Sequence, residues 1–208
     1  MQPHSPRIVF FDLETGGLDP RRHPIIQIGA VAVDADLAAI ESFEVKVEFS
    51  RKKANRNSLR KNHYQPGVWA RQAATPRAAA ERFAEFLRRH ATVPMMASDG
   101  AMYHVAQLAA HNAAFDGPFL QVWFARLKIY LPTGRHVLCT MQRAMWHSRE
   151  RPDEPRPRNF KLATLCEHFG VPLHAAAAHE ALADAEATAA LYRRLQAPPP
   201  IARLARVG

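Results

Sequence analysis

The stretch IVFFDLETGG, Ile8 to Gly17, constrains the fold more than any other part of the chain. In an extended segment alternate residues share a face. Ile8 and Phe10 then lie on one side with Asp12 and Glu14, and Val9, Phe11 and Leu13 lie on the other. A strand that is apolar on both faces belongs in the middle of a sheet covered on both sides. The end of this strand nevertheless carries two carboxylates on one face. Like charges there repel each other and are costly to desolvate. A divalent cation removes the conflict, because carboxylate oxygens suit magnesium or manganese. The plainer alternative is a strand whose acids end in solvent, since a D-x-E triplet is expected roughly once by chance in a chain this long.

Acids on apolar stripes recur twice more. In HNAAFDGPFLQVWFARL, Asp116, Phe119, Leu120, Trp123 and Leu127 fall at helical spacing, which puts the carboxylate on the apolar face. Asp116 is either an N-cap, as Pro118 favours, or a ligand facing an interior site. In HEALADAEATAALYRRL, Asp184, Thr188, Leu191 and Leu195 share a face. His179 stands five residues before Asp184, in or before the first turn. It either borders the same site or is a structural histidine, one of eleven in the chain. Taken singly, each acid has an ordinary explanation. Four acids on three elements, each aligned with core-facing residues, are costly to bury without a common partner. One site holding two divalent ions satisfies all four.

Hydropathy predicts strands at 7–13, 25–34 and 39–49, the last two close enough for an antiparallel meander. Residues 50–75 read as an irregular basic loop. Between Arg51 and Arg71 there are seven Lys or Arg and no acid, with Tyr64 and Trp69 interleaved. Such a segment either takes phosphates and stacks bases or is a solvated insertion. A helix is predicted over 75–90, capped by Thr75 with Pro76 at its first position. A loop at 93–104, a strand at 105–110, a helix at 116–127, a short strand in HVLCT and a helix at 141–147 follow. After a Pro- and charge-rich loop at 148–159 come helices at 160–169 and 179–196. This order predicts an α/β fold in one domain, residues 1–196, with a flexible tail at 197–208. The net charge of +9 and pI of about 10.1 point to an anionic partner, nucleic acid first. Cys139 and Cys166 form no C-x-x-C pair and read as reduced, which suits a cytoplasmic protein. No segment reaches membrane-spanning length, and the polar residues before Ile8 do not resemble an export signal.

In this order, FDLETGGLDP, HNAAFD and HEALADA resemble the three exonuclease motifs of the DEDD superfamily. The step from His179 to Asp184 is similar to the DEDDh, DnaQ-like branch, which includes the proofreading epsilon subunit of bacterial DNA polymerase III. FKLATLCEHFGVP resembles the helix before the third motif. The resemblance spans about residues 7–195. It implies a ribonuclease-H-like mixed sheet, three antiparallel N-terminal strands plus parallel strands, flanked by helices. It implies a 3′→5′ exonuclease that releases nucleoside 5′-monophosphates from nucleic acid with a free 3′ end. Asp12, Glu14, Asp116 and Asp184 would hold two Mg²⁺ or Mn²⁺ ions, and His179 would be the general base. Thr15, Gly17 and Leu18, with His111 and Asn112, match positions near the terminal nucleotide. A DNA polymerase subunit is a candidate partner by the same resemblance. The chain departs from the family at Cys139, at Gly16 and in the basic segment 50–75. DNA is favoured slightly over RNA. Two further readings stand beside this one: a binding module for nucleic acid or a polymerase, and an oligoribonuclease-like RNA exonuclease.

Overall fold

A computed structural model of the chain describes residues 5–173 and 180–196. Within them β1 (Ile8–Thr15), β2 (Ile25–Val33) and β3 (Ala39–Lys46) form an antiparallel meander. β6 (Gln107–Ala110) and β7 (Leu138–Cys139) join β1 in parallel, giving the order β3-β2-β1-β6-β7. β1 is therefore central, as its double-sided apolar pattern requires.

The two faces of β1 enter different cores. Val9, Phe11 and Leu13 pack with α3 (Pro76–Arg89) and α4 (Ala113–Leu127). Phe10 packs on the other side with Val31, Val33, Ala109 and Tyr192 of α7 (Ala181–Gln196). The Thr75 hydroxyl caps α3 by accepting from the Ala78 amide at 3.3 Å. α5 (Thr140–Glu150) and α6 (Leu162–Phe169) build a second core against α7 through Ala144, Leu165, Leu191 and Leu195. No helix among the described residues is long and apolar enough to cross a membrane.

Three expectations need correction. Residues 50–75 are not an irregular loop: they hold a 3-10 turn at Arg51–Lys53, α1 (Arg56–Lys61) and α2 (Pro66–Gln72). These helices are short and each buries one side chain, Leu59 or Trp69, against Ile26, so they carry almost no periodic signal. Tyr64 and Trp69 are consequently not free to stack bases. The Trp69 indole donates to the Ile26 carbonyl at 3.2 Å, and the two rings meet edge to face. Residues 93–104 are likewise not a loop, since β4 (Val93–Met96) and β5 (Met102–Val105) pair as a two-stranded hairpin. Finally, α4 begins one turn before Asp116. Asn112, in the left-handed conformation at φ 61°, turns the chain into the helix and leaves Asp116 inside the first turn rather than at the cap. The predicted tail at 197–208 and the 179 end of the last helix lie outside the described residues.

Candidate active site

The C-terminal end of β1 opens into a cavity of about 230 Å³. Asp12, Glu14, Asp116 and Asp184 all line it. Asp12 and Glu14 arrive two residues apart from β1, Asp116 from the first turn of α4, and Asp184 from the first turn of α7. One carboxylate oxygen from each of Asp12, Glu14 and Asp184 lies within 4.8 Å of the others. Asp116 is 3% exposed.

Packing brings the acids this close. The backbone of α7 crosses β2 at Gly29, where a Cβ would stand 2.1 Å from the Ala181 carbonyl carbon and the Leu182 nitrogen. Only glycine permits that approach, and it sets the first turn of α7 beside the end of β1. Asp184 accordingly sits on the same buried stripe as Thr188, Leu191 and Leu195.

Crowded, buried carboxylates resist ionisation. Burial raises Asp12 well above its ordinary range, helped by the charges of Asp116, Glu14 and Asp184. Glu14 is pushed up to about 8, first by burial and then by Asp184. Burial raises Asp116 to about 7 against backbone hydrogen bonds from Leu13 and its own amide. A hard divalent cation is the partner that such a donor set fits, since it removes the repulsion and takes oxygen ligands.

Residues expected near a substrate end also meet here. Thr15, Gly17, Leu18, His111 and Asn112 line the same cavity as the acids. The Thr15 hydroxyl donates to the Gly17 carbonyl at 2.8 Å, which tightens the turn after β1. Gly17 has no room for a side chain, because a Cβ there would stand 2.4 Å from the His23 ring. Leu18 is 80% exposed at the rim. His111 is engaged on both ring nitrogens: Nε2 lies 3.0 Å from the Phe160 carbonyl and Nδ1 2.9 Å from the Thr140 hydroxyl. A carbonyl only accepts, so Nε2 carries the proton and Nδ1 accepts from Thr140. Burial lowers the pKa of this ring. His179 lies outside the described residues.

Sequence reasoning missed one wall of the cavity. α1 and the residue that caps its C-terminus supply Ser58, Lys61 and Asn62. The Asn62 amide donates to the Thr15 carbonyl at 3.0 Å, and the Asn55 amide donates to Gly16 at 2.7 Å, which pins α1 to the turn after β1. Lys61 opposes the upward shifts of Asp12 and Glu14. The basic run was visible in the sequence, but nothing in its spacing separates Lys61 from its neighbours.

The chain matches the exonuclease family model of RNase T type over residues 9–98 and 99–192. It is 27% identical over 186 residues to the PolC-type DNA polymerase III of Thermotoga petrophila, which covers 89% of this chain and 12% of that protein. To the corresponding polymerase of Oceanobacillus iheyensis it is 38% identical over 88 residues, covering 42% of this chain and 6% of that protein. The chain thus spans about an eighth, or less, of the length of these relatives. Among solved structures it resembles Escherichia coli exonuclease I in complex with a dT13 oligonucleotide, with a TM-score of 0.72 at 20% identity, covering 90% of this chain and 40% of that one. Exonuclease I from Methylocaldum szegediense gives a TM-score of 0.74 at 20% identity, covering 91% and 40%. These likenesses make the fold ribonuclease-H-like. With the family match spanning both halves of the chain, this protein belongs to the DnaQ-like exonuclease family.

Proposed function

We propose that this chain is a metal-dependent 3′→5′ exonuclease that hydrolyses the terminal phosphodiester and releases nucleoside 5′-monophosphates. The convergence of Asp12, Glu14 and Asp184 within 4.8 Å, with Asp116 in the same cavity, carries this reading. These four residues would hold two Mg²⁺ or Mn²⁺ ions. Bound there, the ions would supply charge stabilisation for the attacking and leaving oxygens of phosphodiester hydrolysis.

The chain's own groups supply the rest. His179 takes the proton of the attacking water, since a neutral imidazole is a competent base near pH 7. Leu18 offers an apolar contact for the terminal base, and the narrow Thr15–Gly17 turn lets the sugar approach the backbone. Asn112, exposed on the cavity lining, would offer its amide to the terminal nucleotide. His111, just before α4, acts through its hydrogen bonds to Thr140 at the start of α5 and to Phe160 just before α6 as a fixed wall of the cavity. Lys61 faces the position of the scissile phosphate. Four carboxylates balance two divalent ions and leave one phosphate charge uncompensated, which Lys61 meets. DNA is the favoured substrate, because the curated relatives are DNA polymerases and the exonuclease I structure is a complex with a DNA oligonucleotide.

The test is a paired degradation assay on single-stranded DNA and RNA of equal sequence, labelled at the 5′ end, in Mg²⁺, Mn²⁺ or EDTA. A metal-dependent ladder that shortens from the 3′ end is expected, faster on DNA. Asp12→Ala and Asp184→Ala should abolish it without loss of fold, and full activity in either variant would overturn the site.

A further inference from the structure

A second and larger cavity, of about 590 Å³, lies beside the first. Three elements run through both. In the turn after β1, Gly17 and Leu18 line the acidic cavity, whereas Arg21 and Arg22 line the second. In the basic segment, Ser58 and Lys61 face the first and Lys53 the second. On α4, Asp116 faces the first, and Trp123 and Arg126 the second. The two cavities are therefore neighbouring compartments of one surface. From Asp116 to Trp123 the helix advances about 10 Å at ~1.5 Å per residue, the reach of a few nucleotides of strand.

The chemistry of the second cavity differs from that of the first. Arg21, Arg22, Lys53 and Arg126 are all exposed around it, and Glu48 is the one acid on its lining among the described residues. Half-buried Phe49 and Trp123 supply aromatic surface between the cations. The guanidinium of Arg126 donates to the carbonyls of Pro20 and Arg21, so the loop carrying the other two arginines is held against α4. Cations spaced around aromatic faces match single-stranded nucleic acid, whose phosphates and bases alternate.

We propose that this cavity binds the stretch of substrate strand 5′ of the nucleotides being hydrolysed, with Arg21, Arg22 and Lys53 on phosphates and Trp123 against a base. The proposal rests on the exonuclease reading for the polarity of the strand. It makes the protein a length-sensing enzyme: short fragments touch only the acidic cavity, and longer strands are held by both.

The test uses the full chain and the double variant Arg22→Glu/Lys53→Glu, two residues that line the second cavity and not the acidic one. Binding of fluorescein-labelled single-stranded DNA, two or twelve nucleotides long, is followed by anisotropy in EDTA over a range of salt. Hydrolysis of a dinucleotide in Mg²⁺ serves as a separate control on the acidic cavity. The variant should bind the twelve-nucleotide strand at least about tenfold more weakly and lose roughly 1.4 from its slope of log affinity against log salt, at ~0.7 per phosphate contact. Its affinity for the two-nucleotide strand should change less than about twofold. Equal affinity and slope for the long strand in both proteins would overturn the second site, whatever the hydrolysis result. If neither protein shortens the twelve-nucleotide strand from its 3′ end in Mg²⁺ or Mn²⁺, the exonuclease reading fails, and the length-dependent binding still decides the cavity's role. Variant melting temperatures equal to wild type exclude a folding defect.

Discussion

Glu14 and Asp116 hold their protons at pH values where free carboxylic acids have lost them, and this makes the metal-free fold sensitive to pH. Glu14 is raised from its ordinary 4.5 to about 8, and Asp116 from 3.8 to about 7. Between those limits the folded chain retains protons that the unfolded chain has released. Stability in EDTA is then highest below the ordinary values and is lost as pH rises through the folded ones. Thermal melts in EDTA from pH 5 to 9 should show a falling midpoint, and a flat or rising midpoint would contradict the crowding of these acids. Asp12→Asn removes one ionisable carboxyl from the crowded cluster at nearly constant shape. It should raise the metal-free melting temperature at pH 8 by a few degrees, for roughly 1–2 kcal/mol at ~2–4 °C per kcal/mol, while eliminating hydrolysis. Lys61 is the opposite case, since it opposes the shifts of Asp12 and Glu14. Lys61→Met should lower both the metal-free midpoint and strand affinity, the latter by about tenfold, as expected for one charge-assisted contact. Lys61→Arg should retain most of each, and unchanged affinity in Lys61→Met would remove it from the substrate's path.

At the scale of elements, the site depends on how closely α7 can lie on β2. The Gly29→Ala methyl would collide with backbone at 2.1 Å, and backbone cannot yield as a side chain does. Overpacking of this kind costs about 1–3 kcal/mol. The predicted variant is folded but melts lower, and because Asp184 rides on α7 it should bind Mn²⁺ more weakly than wild type in calorimetry. Wild-type metal affinity in Gly29→Ala would show that the close crossing does not set the acids. The elements that could be read from sequence are those whose burial is periodic. β1 declared itself by apolar residues on both faces, and the stripe through Asp184, Thr188, Leu191 and Leu195 declared α7. α1 and α2 were illegible because each is anchored by one large buried residue, Leu59 or Trp69. The β4–β5 hairpin was missed for a related reason: most of its side chains are half-buried or exposed. The acids were legible because a carboxylate on an apolar stripe contradicts its surroundings. A lysine in a basic run contradicts nothing, so Lys61 could be found only once α1 was seen against the turn after β1.

Over the whole molecule, the acidic cavity gathers residues from position 12 to position 184, so its four carboxylates come together only when the sheet and both helices are in place. An unfolded chain offers separate acids with little affinity for a divalent ion. A cation that binds the native state alone stabilises it by mass action, by about 2.7 kcal/mol at a hundredfold excess over Kd. For a chain of this size that corresponds to a rise of roughly 5–11 °C in melting temperature. The rise should be larger at pH 8 than at pH 5.5, because at the lower pH protons occupy Glu14 and Asp116 and must be displaced before a cation can bind. Differential scanning fluorimetry with MgCl₂, MnCl₂ and EDTA at the two pH values measures this directly. Asp184→Asn supplies the control, since it removes a carboxylate from the cluster and leaves the +9 surface unchanged apart from one added unit. Loss of most of the metal-dependent rise in that variant would tie the stabilisation to the cavity. An undiminished rise would mean that cations act elsewhere on the fold, and the four acids would lose their claim to a shared partner.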